Sequence, residues 1–297
     1  MIYKHKKSYP IKDQFSPDFL FENNDEVSFF YTYIRKNAST SFKKLFQVLY
    51  PGACPGDIPS IGCMMQHARV EGLVPGEVNQ RFATKLFVYR DPIDRVFSTY
   101  KNKIIQQDGA EDLLRRLEKV VGRDPALLTF DEFVQEYVLL LETERWEEVD
   151  GHLYPQVWHL LPITYNKVIR MDNVYKEMLD LLPVELCNQL FKEPSNSTTK
   201  GSLPLPWADS DCPAVYFRKK YAESKALPTL KQILTSATEA RLREAYSEDY
   251  QMIAEVEGKS LGSSPANVLD FNFSTALPEE RLEKALGLDF SLPSNRG

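Results

Sequence analysis

Apolar positions along the chain change period in a regular way. Val27-Ser28-Phe29-Phe30-Tyr31-Thr32-Tyr33-Ile34 is a continuous β-branched and aromatic run, which predicts a buried strand. A polar turn, Arg35 to Thr40, separates it from residues 41–50, where apolar side chains at 42, 45, 46 and 49 keep helical spacing and Pro51-Gly52 closes the helix. The unit recurs. Lys85–Tyr89 predicts a second strand, and after Arg90-Asp91-Pro92 a helix follows through Ile93, Val96, Phe97 and Tyr100, with the proline suited to its first turn. Two strand–turn–helix units predict an α/β fold with a central parallel sheet flanked by helices and with sites at the carboxyl ends of its strands. Further on, residues 110–145 are helical in pattern, and Thr129-Phe130-Asp131-Glu132 has the form of a capping box. Lys167–Met171 predicts another strand, and 229–256 a pair of helices. The polar residues 1–26 read as an arm, 27–257 as the domain, and 258–297 as a tail with one short helix around Pro278–Leu286. Residues 193–213, rich in Ser, Thr and Pro, read as a long loop of the kind that forms lids or binding surfaces.

Composition narrows the function. With 297 residues, 43% hydrophobic and 26% charged, the chain excludes disorder and can bury a core without metal or disulfide staples. Thirty-six Lys and Arg against 42 Asp and Glu give a net charge of −6, which argues against a nucleic-acid binder. Any anionic ligand must therefore be held by a local cluster. No stretch approaches the roughly 18 apolar residues of a membrane span, and the basic start MIYKHKKSYPIKDQF has no apolar core behind it, so no signal peptide is read there. The four cysteines, Cys54, Cys63, Cys187 and Cys212, form no CxxC pair. A reduced, cytoplasmic compartment is the expectation, with a Cys54–Cys63 bridge left open. No His/Cys/Asp cluster has metal-ligand spacing, so no metal is expected.

Two turns concentrate the candidate chemistry. Arg35, Lys36, Lys43 and Lys44 place four positive charges in ten residues, and Asn37, Ser39, Thr40 and Ser41 add polar groups at a helix N-terminus. Amide dipoles, hydroxyls and a lysine can together hold a phosphate. The turn is not a Walker A loop, because it contains no glycine. The bland alternative is a capped, partly exposed helix start. In the second turn, Arg90 ends a strand and Ser98 lies two turns into the next helix, within a stretch (85–103) carrying five basic and two acidic residues. Its bland alternative is a structural Arg90–Asp94 bridge. Two basic turns at one sheet edge suit a ligand with two separated anionic groups.

Ile34-Arg35-Lys36-Asn37-Ala38-Ser39-Thr40-Ser41-Phe42 resembles the 5′-phosphosulfate loop of the Golgi-type carbohydrate sulfotransferases, and most of all the PKTASTSF loop of the hexuronyl 2-O-sulfotransferases. Leu86 to Tyr100 resembles that family's 3′-phosphate motif, RDPxxRxxSxY. Asn196-Ser197-Thr198-Thr199-Lys200 with Leu203-Pro204 is similar to its late loop near the nucleotide. His152 with Pro155-Gln156 is similar to the HWxPQ region of related chondroitin sulfotransferases, with Leu153 where those carry tryptophan.

The resemblance implies a P-loop-NTPase-like three-layer sandwich and a sulfotransferase that uses 3′-phosphoadenosine-5′-phosphosulfate (PAPS), leaving 3′,5′-adenosine bisphosphate (PAP). Arg35, Lys36, Asn37, Ala38, Ser39, Thr40 and Ser41 would wrap the 5′-phosphosulfate. Arg90 and Ser98 would hold the 3′-phosphate, and Thr198, Thr199 and Lys200 would lie near the nucleotide. Sulfuryl transfer moves negative charge onto the leaving oxygen, so a cation there is worth most in the transition state, and Lys36 is the candidate. The acceptor, a hydroxyl of a sugar, glycan or small natural product, needs a base. His67, in a segment comparable to GHVSY of the hexuronyl enzymes, and His152 compete for that role. A non-catalytic nucleotide-binding module and a P-loop kinase are the alternatives, and oligomeric state stays open. A trimmed Golgi-lumenal domain is the alternative to a cytoplasmic enzyme. Asn37-Ala38-Ser39 is a formal glycosylation sequon inside the phosphate loop, where a glycan would block the site.

Overall fold

The computed structural model describes residues 1–9, 17–23, 27–70, 74–193 and 203–258. Its centre is a four-stranded sheet in the order β2-β3-β4-β6. β3 (Val27–Thr32) and β4 (Lys85–Tyr89) are the two strands expected from the apolar runs, and β6 (Lys167–Arg170) is the third. These three are parallel, with Tyr31 opposite Leu86 and Val88 opposite Ile169. β2 (Asp18–Asn23) closes one edge antiparallel to β3. A separate two-stranded pairing joins β1 (Tyr3–Lys4) to β5 (Thr164–Tyr165).

The strand β2 adds an antiparallel edge to the expected parallel sheet, from within the residues read as an arm. Within the polar N-terminal stretch, Phe19 and Phe21 alternate at period two, and both are fully buried on one face of the sheet. Two alternating aromatics suffice for an edge strand when a hairpin partner lies next in sequence.

Both faces of the sheet are covered. Phe29, Tyr31, Leu86 and Val88 pack with Phe42, Leu45 and Phe46 of the helix Ser39–Leu49. The opposite face, through Phe30, Phe87 and Tyr89, packs with Val78, Leu160 and Met252. The period-two alternation of each strand thus feeds two cores. A third cluster, built on Ile93, Val96, Phe97, Phe130 and Tyr246, holds the helices that follow β4. Asp91 caps the helix Pro92–Thr99 by accepting the amides of Ile93 and Asp94, and Pro92 opens it as expected. The Thr129/Glu132 capping box forms with both reciprocal bonds, 3.1 and 2.8 Å. Residues 229–256 hold three helices rather than two: Leu230–Ile233, Ser236–Ala245 and Ser247–Glu257.

Cys54 and Cys63 form a disulfide, while Cys187 and Cys212 are free and buried. The bridge that the sequence left open is therefore formed, against the reduced compartment expected. Among the described residues, no helix is long and apolar enough to cross a membrane. The short helix expected around Pro278–Leu286, and the tail beyond Gly258, lie outside the described residues.

Candidate active site

A cavity of about 960 Å³ opens where β3, β4 and β6 end. Tyr33, Arg35 and Lys36 follow β3, Arg90 follows β4, and Met171 and Asp172 follow β6, and all of them line it. The carboxyl edge of the parallel strands is thus the wall of the site, as the topology requires.

The first turn solves its lack of glycine by strain. Lys36 (φ 68°) and Ala38 (φ 56°) both adopt left-handed backbone, which costs an L-residue on the order of 1–2 kcal/mol each. Arg95, wholly buried, holds the start of the turn by donating from Nε to the carbonyl of Arg35 at 3.1 Å and from Nη1 to that of Tyr154 at 2.7 Å. Ala38 then sits at the N-cap of Ser39–Leu49 and supplies no side-chain cap. Alanine is a poor cap, so the amides of Ser39 and Thr40 receive no side-chain cap at the start of a helix whose residues 39–41 line the cavity, while the Ser41 amide donates to the carbonyl of Ala38 at 2.9 Å.

Asn37 departs from its expected role. Its side chain is wholly buried, and Nδ2 donates to the carbonyl of Val88 (2.8 Å) and to Oε1 of Gln156 (2.7 Å). It shapes the turn from behind rather than facing a ligand. A glycan on Nδ2 would displace both of these bonds, so the fold requires Asn37 unmodified.

Lys36 points the other way, into the cavity. Its Nζ donates to Oδ1 of Asn102 at 2.6 Å. Burial, reinforced by the positive charges of Lys103, Arg90 and Arg95 and opposed by Asp108, lowers its pKa to about 7. Asn102 comes from a π-helical turn, Tyr100–Ile105, continuing the helix Pro92–Thr99. That widened turn sets three consecutive residues, Lys101, Asn102 and Lys103, on the cavity wall. Asp108 accepts from Nδ2 of Asn102 at 3.0 Å, and the carbonyl of Gly109 accepts from Nζ of Lys103 at 2.9 Å, so the wall is held from outside.

Arg90 and Ser98 line the same cavity. The Arg90 guanidinium reaches the carbonyl of Lys36 at 3.5 Å, which brings the two turns side by side. Lys101 lies over the ring of Phe97 at 4.5 Å, and burial together with Arg90 lowers its pKa to about 8. The cavity wall carries seven Lys and Arg against three Asp, in a chain of net charge −6. The local basic cluster that the sequence demanded is there.

The two candidate histidines part company. His152 lines the cavity with Lys36. Its Nδ1 lies 2.6 Å from Oδ1 of Asp150, which also accepts the His152 amide at 2.9 Å. Burial, with Arg35 and Lys36 nearby, lowers the His152 pKa to about 4 against the opposing pull of Asp150. Burial pushes Asp150 up, but its bond to His152 and that ring's charge win and hold it well below the usual carboxylate range. A neutral imidazole with Nδ1–H given to a carboxylate presents Nε2 as its accepting nitrogen. His67 is not brought to the cavity. It is exposed on the helix Ile61–Ala68, because Met64 and Ala68 take the inward face of that helix. Its neighbours are the Phe46 ring, 6.4 Å away, and the Cys54–Cys63 pair. His67, Cys54 and Cys63 are the one group of close metal-ligand types among the described residues, and the two cysteines are bonded to each other.

Thr198, Thr199 and Lys200 lie outside the described residues. Leu203 and Pro204 line the cavity, tied to Leu227 by bonds of 3.0 and 2.9 Å between Leu205 and Leu227 and between Leu227 and Leu203. Asn102 and Asp150 were missed by sequence reasoning. Asp150 ends an acidic run, 142–150, and only its two-residue distance from His152 could have signalled the pairing.

Comparison with known proteins identifies the family. The model of the sulfotransferase family matches residues 18–253. Carbohydrate sulfotransferase 14 of Homo sapiens is 30% identical over 150 residues, 46% of this chain and 38% of that protein. Carbohydrate sulfotransferase 14 of Danio rerio is 27% identical over 143 residues, 44% of this chain and 38% of that protein. The matched part spans about two fifths of the length of these curated relatives. No solved structure matches.

Proposed function

The chain belongs to the sulfotransferase family, and we propose that it transfers a sulfuryl group from PAPS to a hydroxyl of a carbohydrate by in-line displacement. PAPS supplies the activated sulfuryl group and leaves as PAP. The residues present fit a ligand with two anionic ends: uncapped amides and Lys36 in one turn, Arg90 and Ser98 in the other. The observation that carries the proposal is the convergence of Lys36, Arg90 and the Asp150–His152 pair on one cavity.

Lys36, with the amides of Ala38 to Thr40, holds the 5′-phosphosulfate end and neutralises charge on the departing bridging oxygen. Arg90 and Ser98, with Lys101 beside them, hold the 3′-phosphate. Leu203, Pro204 and the segment 227–230 offer an apolar wall for the adenine. His152, neutral at physiological pH and oriented by Asp150, takes the proton of the acceptor hydroxyl at Nε2. We read the sheet with helices on both faces as the P-loop-type sandwich of the family, and the catalytic domain as 18–257, since the family match and the sheet both begin at Asp18. The disulfide favours an oxidising, lumenal compartment over the cytoplasm.

Calorimetric titration with PAP in the absence of metal, with ATP and magnesium as comparison, tests the donor site. Tight binding of PAP alone is expected. Binding of ATP with no binding of PAP would overturn the proposal. Transfer from PAPS to a panel of glycans then identifies the acceptor.

A further inference from the structure

The two anion-binding turns come from different strands, and their spacing has to match the distance between the two anionic ends of one nucleotide. One side chain joins them. Gln156, wholly buried, opens the short 3-10 turn Gln156–His159. Its Oε1 accepts from Nδ2 of Asn37 at 2.7 Å and from the backbone amide of Arg90 at 3.1 Å. Its Nε2 donates to the carbonyl of Arg90 at 3.0 Å and to Oδ2 of Asp249 at 3.1 Å. Two donors meet the oxygen and two acceptors meet the nitrogen, so the amide has one orientation and every hydrogen-bonding position it offers is used. Asp249, also wholly buried, fixes the glutamine from the helix Ser247–Glu257, because it accepts the backbone amides of Gln156 at 2.9 Å and of Val157 at 2.9 Å as well.

We infer that Gln156 is a positioning residue that sets the separation of the two anion-binding turns, with Asp249 as its anchor. Asn37 follows Lys36 directly, and Arg90 is itself the basic residue of the second turn, so a shift of the amide moves both ends of the site together. A buried amide whose own hydrogen-bonding positions are all used holds one geometry, and losing it leaves its partners unpaired. The role of Gln156 toward the nucleotide rests on the function proposed above; its role as a bridge between the turns does not.

The test compares PAP with 5′-AMP, which lacks the 3′-phosphate and engages one turn. In Gln156→Leu the preference for PAP over AMP is expected to fall by about tenfold or more, because two partners on the second turn lose their bonds. A simple loss of stability would weaken both ligands alike, and that outcome would overturn the inference. Gln156→Glu sets a carboxylate against Asp249 and the carbonyl of Arg90 and is expected to be at least as damaging to that preference. Amide hydrogen exchange without ligand separates the bridge from the nucleotide reading. In Gln156→Leu, protection is expected to drop together at residues 37–42 and 90–95. Loss at one turn alone would overturn the bridge, whereas wild-type protein without any preference for PAP would overturn the donor assignment and leave the exchange result to decide the bridge.

Discussion

Oδ1 of Asp150 lies 2.6 Å from Nδ1 of His152 and accepts that residue's own backbone amide at 2.9 Å. One oxygen therefore fixes both the backbone and the ring of the histidine, across a span of two residues. Tyr137 in turn accepts the Asp150 amide at 2.9 Å and donates to the carbonyl of Glu148 at 3.1 Å, so the carboxylate is held from the helical layer behind it. The arrangement is in place before any acceptor arrives, and His152 lines the cavity together with Lys36.

His152→Ala is expected to lower turnover by about a hundredfold to ten-thousandfold, the usual contribution of a general base, with PAP affinity little changed. Asp150→Asn keeps the size of the partner but weakens the orienting bond, and should lower turnover by a smaller factor. His67→Ala should leave turnover near wild type, since it stands away from the cavity. Steady-state rates with PAP titrations on the same preparations check all three.

Acid should weaken the fold through His152. Its pKa is about 4 when folded, below the ordinary histidine value, so between about pH 6.5 and 4 the unfolded chain binds the extra proton. Stability therefore rises with pH across that window and is lost as pH falls through it. Asp150, depressed when folded, adds a loss only below the ordinary carboxylate range, as it becomes protonated. Thermal melts of wild type and His152→Ala across pH 4 to 7, as a span of about three units set by these values, should show a smaller slope in the variant.

Lys36 is about half protonated near pH 7 in the free protein. An anion beside its Nζ favours the charged form, so binding of PAP is expected to draw in protons above neutrality, with a smaller share from Lys101, whose pKa is about 8. Calorimetry in buffers of different ionisation enthalpy reads this uptake directly. Affinity should fall as pH rises through this range, and Lys36→Ala should abolish most of the uptake while lowering turnover far more than PAP affinity.

Arg90→Ala and Ser98→Ala are expected to do the reverse. Each should raise the dissociation constant for PAP, Arg90→Ala by roughly tenfold to a hundredfold from the loss of a charged hydrogen-bond donor, with a modest effect on turnover at saturation. Binding of AMP should change little in either variant, which distinguishes the 3′-end from the rest of the site.

The disulfide is open to a chemical count. Alkylation of the denatured, unreduced protein should find two thiols, Cys187 and Cys212, and reduction should release two more. Cys54→Ser is expected to lower stability by about 2–3 kcal/mol, as for a short closed loop, read as a shift in the denaturant midpoint.

Much of the site was legible in the order of residues. Strand ends, basic turns and helix starts are local properties, so the turns carrying Lys36 and Arg90 could be located from the change of hydrophobic period, while the part given to Ser98 came from the resemblance to the family motif. The strands β3, β4 and β6 followed from apolar runs buried on both faces, a pattern that needs no partner to be read. The edge strand Asp18–Asn23 was harder, because two alternating phenylalanines in a polar stretch become a strand only when β3 lies alongside to complete the ladder.

Which side each residue faces belonged to the tertiary structure. Asn37 and Lys36 are adjacent in sequence, yet one is buried against Val88 and Gln156 and the other opens to the cavity, because left-handed backbone at Lys36 and Ala38 turns them apart. His67 and His152 were indistinguishable as isolated histidines. The first sits on an exposed helix face beside a disulfide, and the second is carried to Lys36 from more than a hundred residues away. Local sequence determines where the chain turns and what it exposes to a turn. Which of those groups meet depends on non-local packing of the helical layer against the sheet, and that information is spread over all the residues that form the interface.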